Sequence, residues 1–406
     1  MLDALRNAMT SAVAALGARP GGEITLFHHN DTDGLCSGAI LLQALTRAGF
    51  KVKRICLEKP YPGVLEKVFR AEGRIYVFAD FAGRIAPQLV ALNRNRNLVL
   101  VLDHHAADAV GDPEQHGVYN LDPELYGLKG DRDISASVTC YLFARLLNAA
   151  SEDLAGLAVL GAVGDRFFER GRLVGINSRV AKEAASSGLL KIATDANEER
   201  YLLTTHDGVS CRELSVYLDT LGAVGYYRGG PDLGLQVCLE GRTEAADREN
   251  EKLSRLRTEH FRRETDCLER EGIRRSNHIQ WFDLQRRFDP MGVKMVGIFC
   301  DHLKSRHFIR EDQYIAGFQA LPEEVPGIGR IGGGQVKVSM RVPEPLSQLI
   351  RKGKALGLYD LLPPATEVLG GFSDACHSLS AATTISAGRE EELIAAMEEI
   401  LAAGAQ

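Results

Sequence analysis

Aspartates and histidines gather at four places in the first 165 residues, each directly behind an apolar run. His28, His29, Asn30, Asp31, Thr32 and Asp33 follow Ile24 to Phe27; Asp80 ends the run Tyr76 to Ala79. Asp103, His104 and His105 follow Leu98 to Leu102, and Asp165 closes Val159 to Gly164. A carboxylate next to buried apolar chain is costly to keep charged without a partner. Singly, each has a plain explanation as a helix N-cap, a turn residue or half of an ion pair. Converging on one edge, they would repel one another strongly unless cations held them together. Mixed carboxylate and imidazole donors suit Mn²⁺ or Mg²⁺, and the imidazoles favour manganese. Two such ions about 3.5–4 Å apart clamp a transferring phosphoryl group and neutralise the attacking and leaving oxygens.

The elements between these places explain how they would meet. Residues 24–27, 51–57, 74–79 and 97–102 are short β-rich runs, and 34–48, 61–71 and 83–95 between them have helical spacing. That alternation predicts a parallel sheet covered on both faces, with all strand carboxyl ends on one edge. Ligands of open α/β sheets bind at that edge. Two more helices are expected at 135–148 and 153–163, and a mostly helical stretch from about 170 to 240. Residues 242–275 carry charge of both signs around a narrow stripe of Leu253, Leu256, Phe261 and Leu268, the pattern of a long solvated connecting helix. Beyond it, strands at 279–284, 313–320 and 335–342 and helices at 293–303, 344–354 and 390–403 describe a smaller α/β domain. An amphipathic helix is expected at 1–16.

Bulk properties narrow the function classes. A chain of 406 residues exceeds one ordinary core. No apolar stretch reads as a signal peptide or a membrane span. The eight cysteines are scattered, which favours reduced, buried thiols in a cytoplasm over zinc or disulfides. A net charge of −6 argues against broad clamping of long duplex nucleic acid, though metal ions can supply positive charge locally for short or single strands.

The ordered set His29-Asn30-Asp31-Thr32-Asp33-Gly34, Asp80, Asp103-His104-His105 and Asp165 resembles motifs I to IV of the DHH phosphoesterases, most closely the RecJ-like branch. The resemblance implies a Rossmann-like parallel α/β domain over residues 1–170. It also implies a helical extension and connector over 171–278, and a DHH-associated C-terminal domain over 279–406, with a cleft between the two α/β domains. Asp80 would then bridge two metal ions. Asp31, with His29, would hold one, and Asp33, His104 and Asp165 the other. His105 would stand near the scissile phosphate, and Asp103 would orient the histidine pair. Many family members have a ligand histidine where this chain has Phe27, and His29 is the expected replacement.

The C-terminal match is looser. Lys337 to Arg341 looks like the strand before the family's substrate-binding loop. Here the glycines Gly370 and Gly371 are separated from His377, and these three with Arg341 are the expected phosphate contacts. The implied function is metal-dependent hydrolysis of single-stranded or short oligonucleotides, with exonucleolytic action favoured. The alternatives are a small-nucleotide or cyclic-dinucleotide phosphodiesterase, a phosphomonoesterase, or a non-catalytic scaffold that binds nucleic acid. A relic of the last kind would be expected to have lost ligands.

Other polar groups have plainer readings. Thr205 to Gly208 reads as a turn, Gly332 to Gly334 as a flexible turn before a strand, and Asp301-His302 as a helix surface. Trp281, Tyr226 and Tyr227 read as core.

Overall fold

In the first half of the chain, apolar runs bounded by turn residues become strands. They are β1 (Glu23–His28), β2 (Lys51–Cys56), β3 (Ile75–Ala79), β4 (Leu98–Leu102) and the short β5 (Val118–Asn120). They pair in the order β2-β1-β3-β4-β5, parallel throughout. Every residue of β3 and β4 is buried, as a parallel strand inside an α/β sheet requires. Around the strands run α1 (Leu2–Gly17), α2 (Thr32–Arg47), α3 (Pro62–Val68), α4 (Ala86–Asn93) and the single turn α5 (Pro113–His116). Two further helices, α6 (Ala136–Leu147) and α7 (Ala155–Gly164), pack against α2 and each other. The computed structural model describes residues 1–195 and 198–404.

The strand order reverses direction at β1. From β1 the chain steps outward to β2, then returns to β3 on the other side. The connections leaving the carboxyl ends of β1 and β3 therefore diverge, which opens a crevice there. The first two acidic places sit at those two strand ends.

Two compact units result, Met1–Glu251 with Pro326–Ile328, and Lys252–Val325 with the chain from Gly329 on. Residues 171–251, set apart by the sequence reading as an extension, pack into the first unit. Part of that stretch also departs from the helical expectation. Leu190–Asp195 and Glu198–Leu203 form an antiparallel pair, extended by Val209–Ser210. Helices Gly175–Ser186, Cys211–Asp219 and Gly230–Glu240 make up most of the remainder. The charged helix is continuous from Glu244 to Glu271.

The second unit holds a six-stranded mixed sheet. Its order is Arg274–Arg275, Ile279–Asp283, Tyr314–Ala320, Gln335–Arg341, Ser380–Ser386 and Phe372–Cys376. Helices Leu358–Val368 and Glu390–Gly404 supply Leu358, Leu361, Leu362, Leu393 and Met397 to its core. Trp281 packs against that core, and Tyr226 is buried in the first unit, as the sequence predicts for these aromatics. Seven cysteines are buried and Cys267 is half-buried. Among the described residues, no helix is long and apolar enough to cross a membrane.

Candidate metal centre

Motif by motif, local structure aims the acidic groups at one spot. Asp31 is the N-cap of α2, its Oδ1 accepting from the Gly34 amide at 3.0 Å, while Oδ2 lies 2.9 Å from His29 Nδ1. Capping and clustering thus use different oxygens of one carboxylate. Asp33, two residues on, is fully buried and held by another helix: the first amides of α6, Ala136 and Ser137, donate to it at 2.8 and 3.0 Å. A helix N-terminus is where an anion is stabilised. The α7 backbone lies so close that a Cβ at Gly161 would stand 2.2 Å from Asp33 Oδ1. Only glycine lets α7 approach there.

Asp80 leaves β3 with φ 67°, a left-handed conformation costly for a non-glycine residue. His29 Nδ1 lies 3.3 Å from Asp80 Oδ2, and His104 Nε2 3.4 Å from Asp80 Oδ1. His104 Nε2 also lies 3.2 Å from Asp165 Oδ2, at the C-cap of α7. The other His104 nitrogen, Nδ1, is 2.7 Å from the Gly130 carbonyl oxygen. That carbonyl accepts a hydrogen bond from Nδ1–H, which leaves Nε2 facing the carboxylates. His105 Nδ1 lies 2.7 Å from Asp103 Oδ1, and the Gly83 amide donates to Asp103 Oδ2 at 2.9 Å.

Three groups of donor atoms, each within 4.8 Å of one another, follow: His29, Asp31 and Asp80; Asp33, Asp80, His104 and Asp165; and Asp80, His104 and His105. Asp80 is common to all three. All eight first-half residues expected to carry the chemistry therefore lie together, with Asp103 behind His105.

The electrostatics ask for positive charge. Burial first, then Asp31, pushes the Asp80 carboxyl well above the ordinary carboxylate range. Burial and Asp165 push Asp33 up to about 7. Burial disfavours the charged form of His104, yet the Asp165 and Asp80 carboxylates outweigh it and hold the imidazole well above its ordinary value. Both Asp80 oxygens and His104 Nε2 are buried without a hydrogen bond of good geometry. Carboxylate oxygens around an imidazole nitrogen, left without good hydrogen bonds, fit a divalent cation that would replace the protons.

Asp103 behaves differently. Burial works against its charge, but His105, His104 and the Gly83 amide hold it well below the usual range. It stays ionised, and so suits a group that orients imidazoles rather than one that awaits a cation.

Several supports were not visible in the sequence. Asp219 accepts from the Thr32 amide at 2.9 Å and from its hydroxyl at 2.8 Å, pinning the first turn of α2. Asn30 donates to the Gly222 carbonyl at 3.3 Å. Asp122, buried beside Asp103, is pushed well above the carboxylate range by burial and that neighbour. The partners of Thr32 and Asn30 lie more than 180 residues away, and no local pattern announces them. The role of the α6 amides follows from Ser135, which the sequence does mark as a helix start and which caps Val138.

The four expected phosphate contacts lie in the second unit, and the structure shows what each of them is bonded to there. The Gly370 amide donates to the Glu367 carbonyl at 2.9 Å and the Gly371 amide to that of Thr366 at 2.9 Å. With Gly370 at φ 63°, this pattern is the C-terminal cap of helix Leu358–Val368. Neither amide is left over for a phosphate. The Arg341 side chain is engaged as well, its Nε 2.8 Å from Asp301 Oδ2 and its Nη1 donating to the Met340 carbonyl. His377 sits in the turn joining Phe372–Cys376 to Ser380–Ser386, near the sheet end where Arg341 pairs with Ser380. The glycines are at the other end of strand Phe372–Cys376, on the order of 20 Å away, so one loop does not gather all four.

No family model matches the chain. An uncharacterized protein of Methanocaldococcus jannaschii is 31% identical over 177 residues, 43% of this chain and 39% of that protein. The match thus spans about two fifths of that curated relative's length. Among solved structures, the DHH domain of a protein described as belonging to a family of ribosomal proteins has a TM-score of 0.60 at 16% identity, covering 98% of this chain and 92% of its own. Exonuclease RecJ bound to manganese has a TM-score of 0.58 at 17% identity, covering 97% and 94%. RecJ of Thermus thermophilus in complex with Mn²⁺ has a TM-score of 0.58 at 16% identity, covering 97% of this chain and 55% of its own. At these identities the likeness is one of fold.

Proposed function

We propose that this chain, which has the fold of the DHH-domain proteins and RecJ, hydrolyses phosphodiester bonds of single-stranded or short oligonucleotides at a pair of divalent cations, Mn²⁺ before Mg²⁺. The observation that carries the reading is the pair of donor groups sharing Asp80 at the carboxyl ends of β1 and β3. His29, Asp31 and Asp80 would hold one ion; Asp80, Asp33, His104 and Asp165 the other. When bound, such ions supply Lewis-acid charge at phosphorus and acidify water at neutral pH.

The chain's own groups do the positioning. Asp103 accepts from His105 Nδ1 and fixes that ring, leaving Nε2 for a phosphate oxygen or a departing hydroxyl. The Gly130 carbonyl fixes the His104 tautomer in the same way. The α6 amides hold Asp33 against the repulsion of its neighbours. The complete donor set favours an enzyme over a non-catalytic scaffold.

The test is purified protein with Mn²⁺ against labelled single-stranded DNA, RNA, linear dinucleotides and cyclic dinucleotides. Cleavage should stop on exhaustive chelation and return with Mn²⁺. Asp80→Ala should lower turnover by about a hundredfold or more, since it removes the donor common to every group. Activity that survives chelation would overturn the metal reading.

A further inference from the structure

Two cations of the first unit, Lys129 and Arg166, adjoin residues of the candidate metal centre in the chain. A cavity of about 370 Å³ in the first unit is lined by Lys129, Arg166, Phe167 and Phe168, among others. The centre's own neighbours fix its position. Arg166 follows Asp165, Lys129 precedes the Gly130 that holds His104, and the Phe167 ring lies 5.5 Å from that of His104. Arg132 also lines the cavity, but its guanidinium is tied to Asp133 and Glu169 at 3.0 and 3.1 Å. The side chains of Lys129 and Arg166 make no hydrogen bond or ion pair with any described residue. Against them the lining sets one carboxylate without such a tie, Asp131. Arg166 is also held at φ 63°, a conformation a non-glycine adopts only when its surroundings impose it.

We propose that Lys129 and Arg166 form the subsite for the phosphate next to the scissile one on a single-stranded or short oligonucleotide; this rests on the phosphodiesterase reading above. An arginine and a lysine side by side offer a planar fork and a point charge to one anion. Phe168, half-buried in the same lining, offers ring surface to the attached nucleobase, whichever base it is. A chain of net charge −6 has no broad basic face, so its hold on a strand must come from few, well-placed cations.

The test is binding of a fluorescein-labelled, phosphorothioate-linked oligothymidylate to the full chain in Mn²⁺, followed by anisotropy across a salt series. Lys129→Gln and Arg166→Asn should each weaken binding about tenfold or more. Each should also flatten the slope of log affinity against log salt by roughly 0.7, the share of one phosphate contact on a single strand. Arg166→Lys should restore the slope. Asparagine tolerates the left-handed backbone of Arg166, and Lys129 is exposed, so neither change endangers folding. Affinity within about twofold of the parent with an unchanged slope in Lys129→Gln would overturn the subsite. A parent protein that binds through these two cations yet cleaves no diester would overturn the hydrolase reading and leave the subsite standing.

Discussion

At the residue scale, the metal centre is a set of groups whose proton affinities are set by burial and mutual repulsion, and this gives the metal-free protein a particular pH dependence. Asp33 carries a folded-state pKa of about 7 against an ordinary 3.8, because of burial and Asp165. A group whose folded pKa is raised contributes stability that is complete below the unfolded value and is lost as pH rises through the folded one. His104, also raised, acts in the same direction. His28 acts oppositely, since burial and Arg54 lower it from 6.5 to about 3, but its effect is confined to pH below about 6.5. Between about pH 6.5 and 8 the chelated protein should therefore lose stability, while Mn²⁺, which takes the place of the protons, should stabilise increasingly. Melting temperatures with chelator and with Mn²⁺ should diverge as pH rises over that window. A chelated protein that melts higher at about pH 8 than at about 6.5 would show that these carboxyls are not strained together. The gathering of these residues was legible in the sequence because each follows an apolar run. Their supports, Asp219 and the Gly130 carbonyl, were not, because a hydrogen bond across the fold leaves no trace in local spacing.

Elements position the centre through close approach, and α7 against α2 and α6 is the tightest case. Gly161→Ala would place a methyl 2.2 Å from both Asp33 Oδ1 and Ser137 Oγ. Helix propensity alone would favour alanine by about 1 kcal/mol. Overpacking a buried polar contact should reverse that and cost about 1–3 kcal/mol. The same methyl would displace Asp33, so the ion it shares with His104 should bind more weakly than the ion near His29. Denaturant unfolding and metal titration of the variant check both effects; an unchanged second site would mean that Asp33 moves freely. The strands β1 to β4 could be read from sequence because each is an apolar run ended by turn residues. Four elements could not. β5 has only three residues, too few to show a period. The pair Leu190–Asp195 and Glu198–Leu203 is largely exposed and carries Lys191, Asp195, Glu198, Glu199 and Arg200, which blur its alternation. Helix Leu358–Val368 contains Pro363 and Pro364, which argue against a helix in any local reading.

For the whole molecule, the question is which unit holds the strand. The sequence reading assigned that work to the second unit, through Arg341 and the glycines. Within that unit, Arg341 joins helix Met295–Leu303 to strand Gln335–Arg341: its guanidinium bonds Asp301 at 2.8 Å and lies close enough to Gly297 to touch a Cβ placed there. The Arg341 side chain is 19% exposed and that of Asp301 44%, so solvent reaches the pair from the Asp301 side. Asp301 keeps Lys304 when Arg341 is removed, so breaking this partly exposed pair should cost about 1 kcal/mol or less. Arg341→Ala should therefore lower stability modestly, and Asp301→Ala added to it should cost less than its effect alone, because one of its two partners is already gone. The affinity of an oligonucleotide and its salt slope should change far less than in Lys129→Gln. Denaturant unfolding of the two single variants and the double variant measures the coupling, and anisotropy measures the binding. If Arg341→Ala instead keeps full stability and flattens the salt slope by the share of one phosphate, the guanidinium leaves Asp301 for the strand. Phosphate recognition would then belong to both units.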